Sequence, residues 1–217
     1  MVVVIGMDLS IVSPCASVYD KGVHDVFFFR QTSKTRVPES CEDVPGGPPS
    51  RLQELPRIPG PESGDVERYD FIADALLQGI QSRLPSTPCT IRFVVEHYAF
   101  SKSSAFAYKM QELTGIVKYV CLKALRRCGH QVSLHTVPST AWKRNVVAKG
   151  NATKQDVLAH VCRRYPEFAG TADHLRGAAG TAAVPHPLQD ICDAICIAEH
   201  GASPPASARK RKRETNK

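Results

Sequence analysis

Two mainly apolar segments, each ending in an acidic residue, place the strongest constraint on how this chain can fold. Val2–Asp8 ends at Asp8, and 91–96 ends at Glu96. Near-continuous runs of valine and isoleucine are typical of strands buried on both faces of a sheet. A carboxylate is costly to bury unless it is paired or binds a metal. Either acid alone could simply mark the place where a strand leaves the core.

A third segment, 189–200, predicts a helix that carries two more acids. Its apolar residues recur at steps of three and four: Ile191, Ala194, Ile195 and Ala198. That spacing is typical of a helix with one buried face. Asp190 and Asp193 are three residues apart and are therefore neighbours on the helix surface. Two close carboxylates raise each other's pKa unless a cation lies between them. Such a pair alone is typical of a solvated face, but with the two strand acids it predicts a divalent-metal site.

The order of these four acids along the chain resembles the acidic tetrad of the RuvC-type Holliday-junction resolvases, which have the RNase H-like fold. Residues 67–76 resemble the helix that precedes the family's second acid. Residues 149–157 are similar to its Gly-x-Ala-x-Lys segment, and 190–200 to its terminal Asp-x-x-Asp helix with a histidine near the end. The resemblance covers most of 1–35 and 65–200.

The resemblance implies an α/β domain over residues 1–200, with an RNase H-like mixed five-stranded sheet flanked by helices. It implies metal-dependent hydrolysis of phosphodiester bonds in four-way DNA junctions by a homodimer. The residues it makes both catalytic and metal-binding are Asp8, Glu96, Asp190 and Asp193. Their hard carboxylate oxygens suit two Mg²⁺ or Mn²⁺ ions. A role beside these ligands is expected for His200, one turn beyond the face of Asp193.

Hydrophobic periodicity and turn residues predict the remaining elements. The expected strands lie near 2–8, 16–20, 25–30, 91–96 and 132–137, and the expected helices near 66–83, 103–128 and from 154 onward. Residues 36–64 contain seven prolines and four glycines, so we predict a flexible insertion there. Residues 166–187, rich in glycine, alanine and proline, predict a loop.

Basic residues are concentrated in two of these segments, 102–127 and 142–164, each with a net charge of +5. Such a surface suits phosphate contacts, although a solvated charged face is the alternative. The candidate DNA-binding lysines are Lys102, Lys109, Lys118, Lys143, Lys149 and Lys154. In the resembled family an aromatic close behind the second acid enters the junction centre, which implies Tyr98 or Phe100 here. Both could equally pack under the next helix.

The overall charge is uneven, because the last nine residues contribute +5 of the total of +7. Residues 201–217 predict a disordered basic tail that fits a nuclear-localisation patch or a nonspecific DNA arm, and we favour nuclear import. The eight cysteines lack Cys-x-x-Cys spacing, which predicts free thiols in a reducing compartment and no zinc finger. We expect an intracellular protein with no membrane partner and no small-molecule substrate.

Three other functions remain compatible with parts of the pattern. The same four acids would serve another RNase H-fold nuclease that acts on RNA–DNA hybrids or flaps. A non-catalytic nucleic-acid-binding scaffold would not need all four acids. An actin-like ATPase also begins with a strand ending in aspartate, but no glycine-rich phosphate loop follows Asp8.

Overall fold

The computed structural model describes residues 2–29, 50–97, 104–179, 184 and 187–203. Within these ranges lies a six-stranded mixed sheet with the order β4-β3-β2-β1-β5-β6. The strands are β1 Val2–Asp8, β2 Cys15–Asp20, β3 Val23–Phe29, β4 Ser50–Leu55, β5 Thr90–Glu96 and β6 Gln131–Val137. The pairs β1–β2 and β2–β3 are antiparallel, and the pairs β1–β5, β5–β6 and β3–β4 are parallel.

Helices cover both faces of the sheet. They are α1 Asp65–Arg83, α2 Ser104–Arg127, α3 Ser139–Val146, α4 Lys154–Arg164, α5 Phe168–Ala179 and α6 Leu188–Ala202. One core lies between the sheet and helices α1 and α2, and the other lies between the sheet and helices α3 to α6. Strand β1 serves both cores, since Val3, Ile5 and Met7 face the first and Val4 faces the second. None of the described helices has the length and hydropathy needed to cross a lipid bilayer.

Glycine at position 6 lets helix α6 lie directly on the central strand. A Cβ atom at Gly6 would lie only 2.6 Å from the carbonyl oxygen of Ala194. At the other end of the helix, a Cβ atom at Gly201 would lie 2.6 Å from Cγ2 of Val94. No side chain fits at either point, so α6 is held against β1 and β5 at backbone distance.

The prediction of five strands and of an unstructured segment over 36–64 was wrong for residues 50–64. Ser50–Leu55 forms strand β4 and pairs in parallel with β3. Leu55 is buried in the core under α1, and Pro61–Ser63 forms a 3-10 helix before α1. The segment as a whole is rich in proline, but residues 50–55 contain neither proline nor glycine and can therefore form a strand. This strand forms hydrogen bonds with β3, whose outer edge would otherwise be unpaired. Residues 36–49 lie outside the described residues.

The loop predicted over 166–187 was also wrong in its first half. Phe168–Ala179 forms α5, and Phe168, Ala172 and Leu175 are buried in the core beside α6. Their spacing of four and three residues is typical of a helix. The glycine and small alanine residues around them make the hydrophobic periodicity hard to recognise. The predicted strand and helix positions elsewhere agree with the structure to within one or two residues, and α3 is an additional helix that was not predicted.

Candidate active site

The ends of two neighbouring parallel strands bring the first two acids together. Strands β1 and β5 are paired with Met7 opposite Val95. Asp8 and Glu96 are the next residues and the last in their strands, so they lie side by side at the carboxyl edge of the sheet. Both retain some accessible surface, as expected at a strand end that faces a cleft.

Helix α6 brings the other two acids to the same edge. Asp190 lies in its first turn and Asp193 in its second. Both are buried, with 4% and 9% of their surface exposed, although they carry carboxyl groups. The N-terminal end of a helix favours negative charge, which helps to offset the cost of burying Asp190. The close approach at Gly6 sets how near these carboxylates lie to Asp8.

Burial and mutual repulsion strongly raise the pKa values of these acids. Loss of solvation raises the pKa of Asp8 well above its usual range, and Asp193, Asp190 and Glu96 add to the rise. Burial, followed by the charge of Glu96, raises the pKa of Asp193 to about 7. Burial also raises the pKa of Glu96. A cluster of this kind does not hold all four negative charges at neutral pH unless a cation neutralises them.

Fixed donors orient three of the carboxylates. Ser13 Oγ donates a hydrogen bond to Asp190 Oδ2. Trp142 Nε1 donates to Glu96 Oε2 at 2.9 Å, and Gln189 Nε2 lies 3.5 Å from Asp193 Oδ2. No sequence motif predicts these contacts of Ser13 and Trp142. The only sequence signal for Ser13 was its place in the loop that follows Asp8.

One cation lies close to the acids. Lys143, on α3, lowers the pKa of Asp8, Glu96 and Asp193. Its Nζ lies 5.3 Å from the centre of the Trp142 ring, which is itself fully buried. The sequence makes Lys143 a candidate DNA-binding residue, and the structure places it within electrostatic reach of three of the acids.

The donor set fits hard divalent cations. Four carboxylates, converging from two strands and one helix, supply the oxygen ligands that Mg²⁺ and Mn²⁺ prefer. Among the described residues, the ligand trio with donor atoms within 4.8 Å of one another lies elsewhere, at His160, Cys196 and Glu199. The four acids are therefore spread more widely than the ligands of one ion. In two-metal sites the ions lie about 3.5–4 Å apart.

The other candidate DNA-binding residues do not lie together in one cluster. Lys109 Nζ pairs with Asp65 at 2.8 Å, and Lys149 Nζ pairs with Asp156 at 3.0 Å. Lys118 is half-buried, and burial lowers its pKa. Lys154 is the first residue of α4, which begins with a capping box between Thr153 and Asp156. The candidates Tyr98, Phe100 and Lys102 lie outside the described residues.

His200 is placed away from the metal-ligand candidates. It follows Asp193 by seven residues on α6, which is about 10 Å of helix rise. Its Nδ1 lies 3.1 Å from Nδ2 of Asn145 on α3. The role we expected for His200 beside the metal ligands is therefore replaced by a contact that joins α6 to α3.

The six-stranded mixed sheet flanked by helices agrees with the RNase H-like fold that the resemblance implies. Comparison with solved structures gives the same fold. T. thermophilus RuvC in complex with a Holliday junction substrate matches with a TM-score of 0.51 and 18% identity over 93% of each chain. The expected RNase H-like α/β fold of the RuvC type is thus confirmed.

Two further solved structures are similar to the chain at lower TM-scores. A Thermus thermophilus RuvC structure has 20% identity and a TM-score of 0.48, covering 92% of this chain and 93% of that chain. The yeast mitochondrial Holliday junction resolvase Ydc2 has 12% identity and a TM-score of 0.48, covering 91% and 78%. No protein-family model and no curated protein sequence matches the chain.

Proposed function

We propose that this protein is a metal-dependent endonuclease that hydrolyses phosphodiester bonds in four-way DNA junctions. The observation that carries the proposal is the convergence of Asp8 and Glu96 with Asp190 and Asp193 at one edge of the sheet. The raised pKa values of Asp8, Glu96 and Asp193 support it, because they identify a cluster that a divalent cation would stabilise.

Asp8 is the residue best placed to bind both ions. It is the acid whose pKa is raised by each of the other three. Two bound Mg²⁺ or Mn²⁺ ions would supply an activated water and stabilise the leaving 3′ oxygen, giving products with 5′ phosphate and 3′ hydroxyl ends. Glu96, Asp190 and Asp193 complete the ligand set, while Trp142 and Ser13 hold two of these carboxylates in orientation.

The choice of a branched substrate rests on the fold and on the basic surface. The similar RuvC structure contains a Holliday junction substrate. In this chain, Lys143 borders the acids, Lys154 is the first residue of α4, and Lys149 pairs with Asp156 in the first turn of that helix. These residues provide a surface for DNA leading away from the cleft.

A homodimer would place two such sites for paired cuts, and α2 is the candidate interface. Tyr108 and Tyr119 lie eleven residues apart on one face of α2 and are 67% and 63% exposed. Gly115 lies between them on that face, and a Cβ atom there would meet nothing within 4 Å. A glycine in mid-helix costs about 1 kcal/mol relative to alanine, and close packing against a second copy of α2 would offset that cost.

The substrate class is tested by incubating the full chain and Mg²⁺ with labelled four-way junction, flap, RNA–DNA hybrid and plain duplex. The proposal predicts paired nicks in the junction, with much slower cleavage of the other three. Preferred cleavage of the hybrid or flap would show a different RNase H-fold nuclease. Binding without cleavage of any substrate, with Mg²⁺ or Mn²⁺, would favour a scaffold.

For the tail, which lies outside the described residues beyond Ser203, we propose a role in nuclear import. Its five consecutive cations at 209–213 follow a proline- and serine-containing linker, where an import receptor could reach them. Truncation after Ser203 should remove nuclear enrichment of a fluorescent fusion and leave junction cleavage unchanged. A loss of DNA affinity with unchanged localisation would instead make the tail a DNA arm.

A further inference from the structure

A second cluster of potential metal ligands lies on the outer part of α6, apart from the acidic cluster. Cys196 and Glu199 are three residues apart and therefore share one face of α6. His160 faces them from α4. Glu199 follows Asp193 by six residues, about 9 Å of helix rise, while Cys196 lies one turn beyond Asp193.

The donor atoms of this cluster already have the spacing of a metal-ligand set. The imidazole, thiol and carboxylate atoms of His160, Cys196 and Glu199 lie within 4.8 Å of one another. His160 Nε2 and Glu199 Oε2 are 3.4 Å apart, which is long for a hydrogen bond. Two ligand atoms, each about 2.0–2.1 Å from a tetrahedral zinc ion, are separated by about 3.3–3.4 Å. The observed distance is that of a tetrahedral edge.

Neighbouring side chains fix the carboxylate of Glu199 with one oxygen turned toward His160. Tyr165 OH donates to Glu199 Oε1 at 2.9 Å, and Arg164 Nε lies 3.5 Å from the same atom. Tyr165 is held in turn by His24, whose Nε2 lies 2.8 Å from the phenol oxygen. Metal-binding carboxylates are characteristically oriented by such outer hydrogen bonds.

An open coordination position is available beside the cluster. His160 and Glu199 line a surface cavity of about 330 Å³, together with Tyr19, Asn145 and Arg164. Cys196 does not line this cavity and is fully buried in the core. Three protein ligands with a water in the fourth position is the arrangement known from catalytic zinc sites.

We propose that His160, Cys196 and Glu199 bind a zinc ion that fastens α4 to α6. Mixed nitrogen, sulfur and oxygen ligands suit zinc better than Mg²⁺, which prefers oxygen alone. Binding releases the thiol proton of Cys196 to solvent. Zinc-finger spacing was absent from the sequence, and this site needs none, since His160 and Cys196 lie 36 residues apart in the chain and on two different helices. It stands independently of the proposed nuclease activity.

The test uses the metal-stripped full chain titrated with Co²⁺, which reports a thiolate ligand by a sulfur-to-metal charge-transfer band. We expect the band at one equivalent in the wild type, and we expect it to be lost in Cys196→Ser. It should persist in Cys128→Ser, since Cys128 is exposed and distant in sequence. It should also persist in Asp8→Asn, which separates this site from the acidic cluster. Absence of the band, its survival in Cys196→Ser or its loss in Asp8→Asn would overturn the proposal.

A second variant decides the question if Cys196→Ser fails to fold. His160 is partly exposed on α4, so His160→Gln should fold normally. Its zinc affinity should fall by at least about tenfold, and the rise in Tm that zinc gives the wild type should largely disappear. An equal rise in Tm for wild type and His160→Gln would contradict a zinc site at these residues.

Discussion

The hydroxyl of Ser13 donates a hydrogen bond to the carboxylate of Asp190, which lies 177 residues further along the chain. This contact joins the loop after β1 to the first turn of α6. It fixes one of the helix acids relative to Asp8, the last residue of the central strand. The relative position of the carboxylates therefore depends on a residue that carries no charge.

Ser13→Ala should weaken metal binding without unfolding the protein. The alanine leaves Asp190 without this donor, and removing a contact that orients a metal ligand typically costs 10–100-fold in affinity or activity. The Mg²⁺ concentration for half-maximal cleavage should rise by about tenfold or more. Ser82→Ala, which removes a hydroxyl that bonds to Gly79 on α1, is the matched control. Identical Mg²⁺ dependence in the two variants would show that Ser13 has no such role.

Trp142→Phe should change the pH dependence of cleavage. The phenyl ring fills most of the buried volume but does not donate to Glu96. Because this hydrogen bond lowers the pKa of Glu96, its loss should raise that pKa. The acidic limb of the pH–rate profile, measured at a fixed Mg²⁺ concentration, should then shift to higher pH. A uniform fall in rate with no shift of the limb would indicate a packing defect alone.

Asp193 should make the metal-free protein less stable as the pH rises. Its pKa is raised to about 7 in the folded chain, against 3.8 as the ordinary value. Between these limits the folded state holds a proton that the unfolded state has lost, so the contribution is present below pH 4 and lost as the pH rises toward 7. Asp193→Asn should remove this slope, as judged by urea unfolding from pH 4 to 8. If the free energy of unfolding depended on pH in the same way for wild type and Asp193→Asn, Asp193 would not cause the loss of stability.

Bound metal should reverse this pH dependence in the wild type. Because Mg²⁺ or Mn²⁺ needs deprotonated carboxylates, its stabilisation should be larger at pH 8 than at pH 5. The Tm measured with and without Mn²⁺ at both values checks this directly. Equal shifts at pH 5 and pH 8 would mean that the metal binds elsewhere.

Gly6→Ala should displace α6 from the central strand. The added Cβ would lie 2.6 Å from the carbonyl oxygen of Ala194, and a backbone atom of a packed helix moves only with the helix. Overpacking of this kind costs about 1–3 kcal/mol, and it should reduce cleavage further by separating Asp193 from Asp8. Gly170→Ala in α5 is the control, since a Cβ atom there meets nothing within 4 Å. Wild-type stability and activity in Gly6→Ala would contradict the packing of α6.

The sequence predicted the parts of the site that are encoded locally. The strands ending at Asp8 and Glu96, and the helix carrying Asp190 and Asp193, follow from hydrophobic periodicity within each segment. The contact of Trp142 with Glu96 was not predictable in this way, because it joins two segments whose relative position depends on the whole fold. Strand β4 was missed for a related reason, since its partner β3 and the burial of Leu55 stabilise it more than its own composition does.

The assignment of the acidic cluster as the active site is tested most directly by measuring both cleavage and junction binding for Asp8→Asn. Asp74→Asn, on the exposed face of α1, is the control. Asparagine replaces the carboxyl group whose pKa each of the other three acids raises, and it hardly alters the basic surface. Under single-turnover conditions with Mg²⁺, Asp8→Asn should cut a four-way junction at least about 10³-fold more slowly than the wild type, while junction affinity in Ca²⁺ stays within about threefold. Asp74→Asn should match the wild type in both measurements. Junction cleavage by Asp8→Asn at the wild-type rate would contradict the assignment of the acidic cluster as the active site.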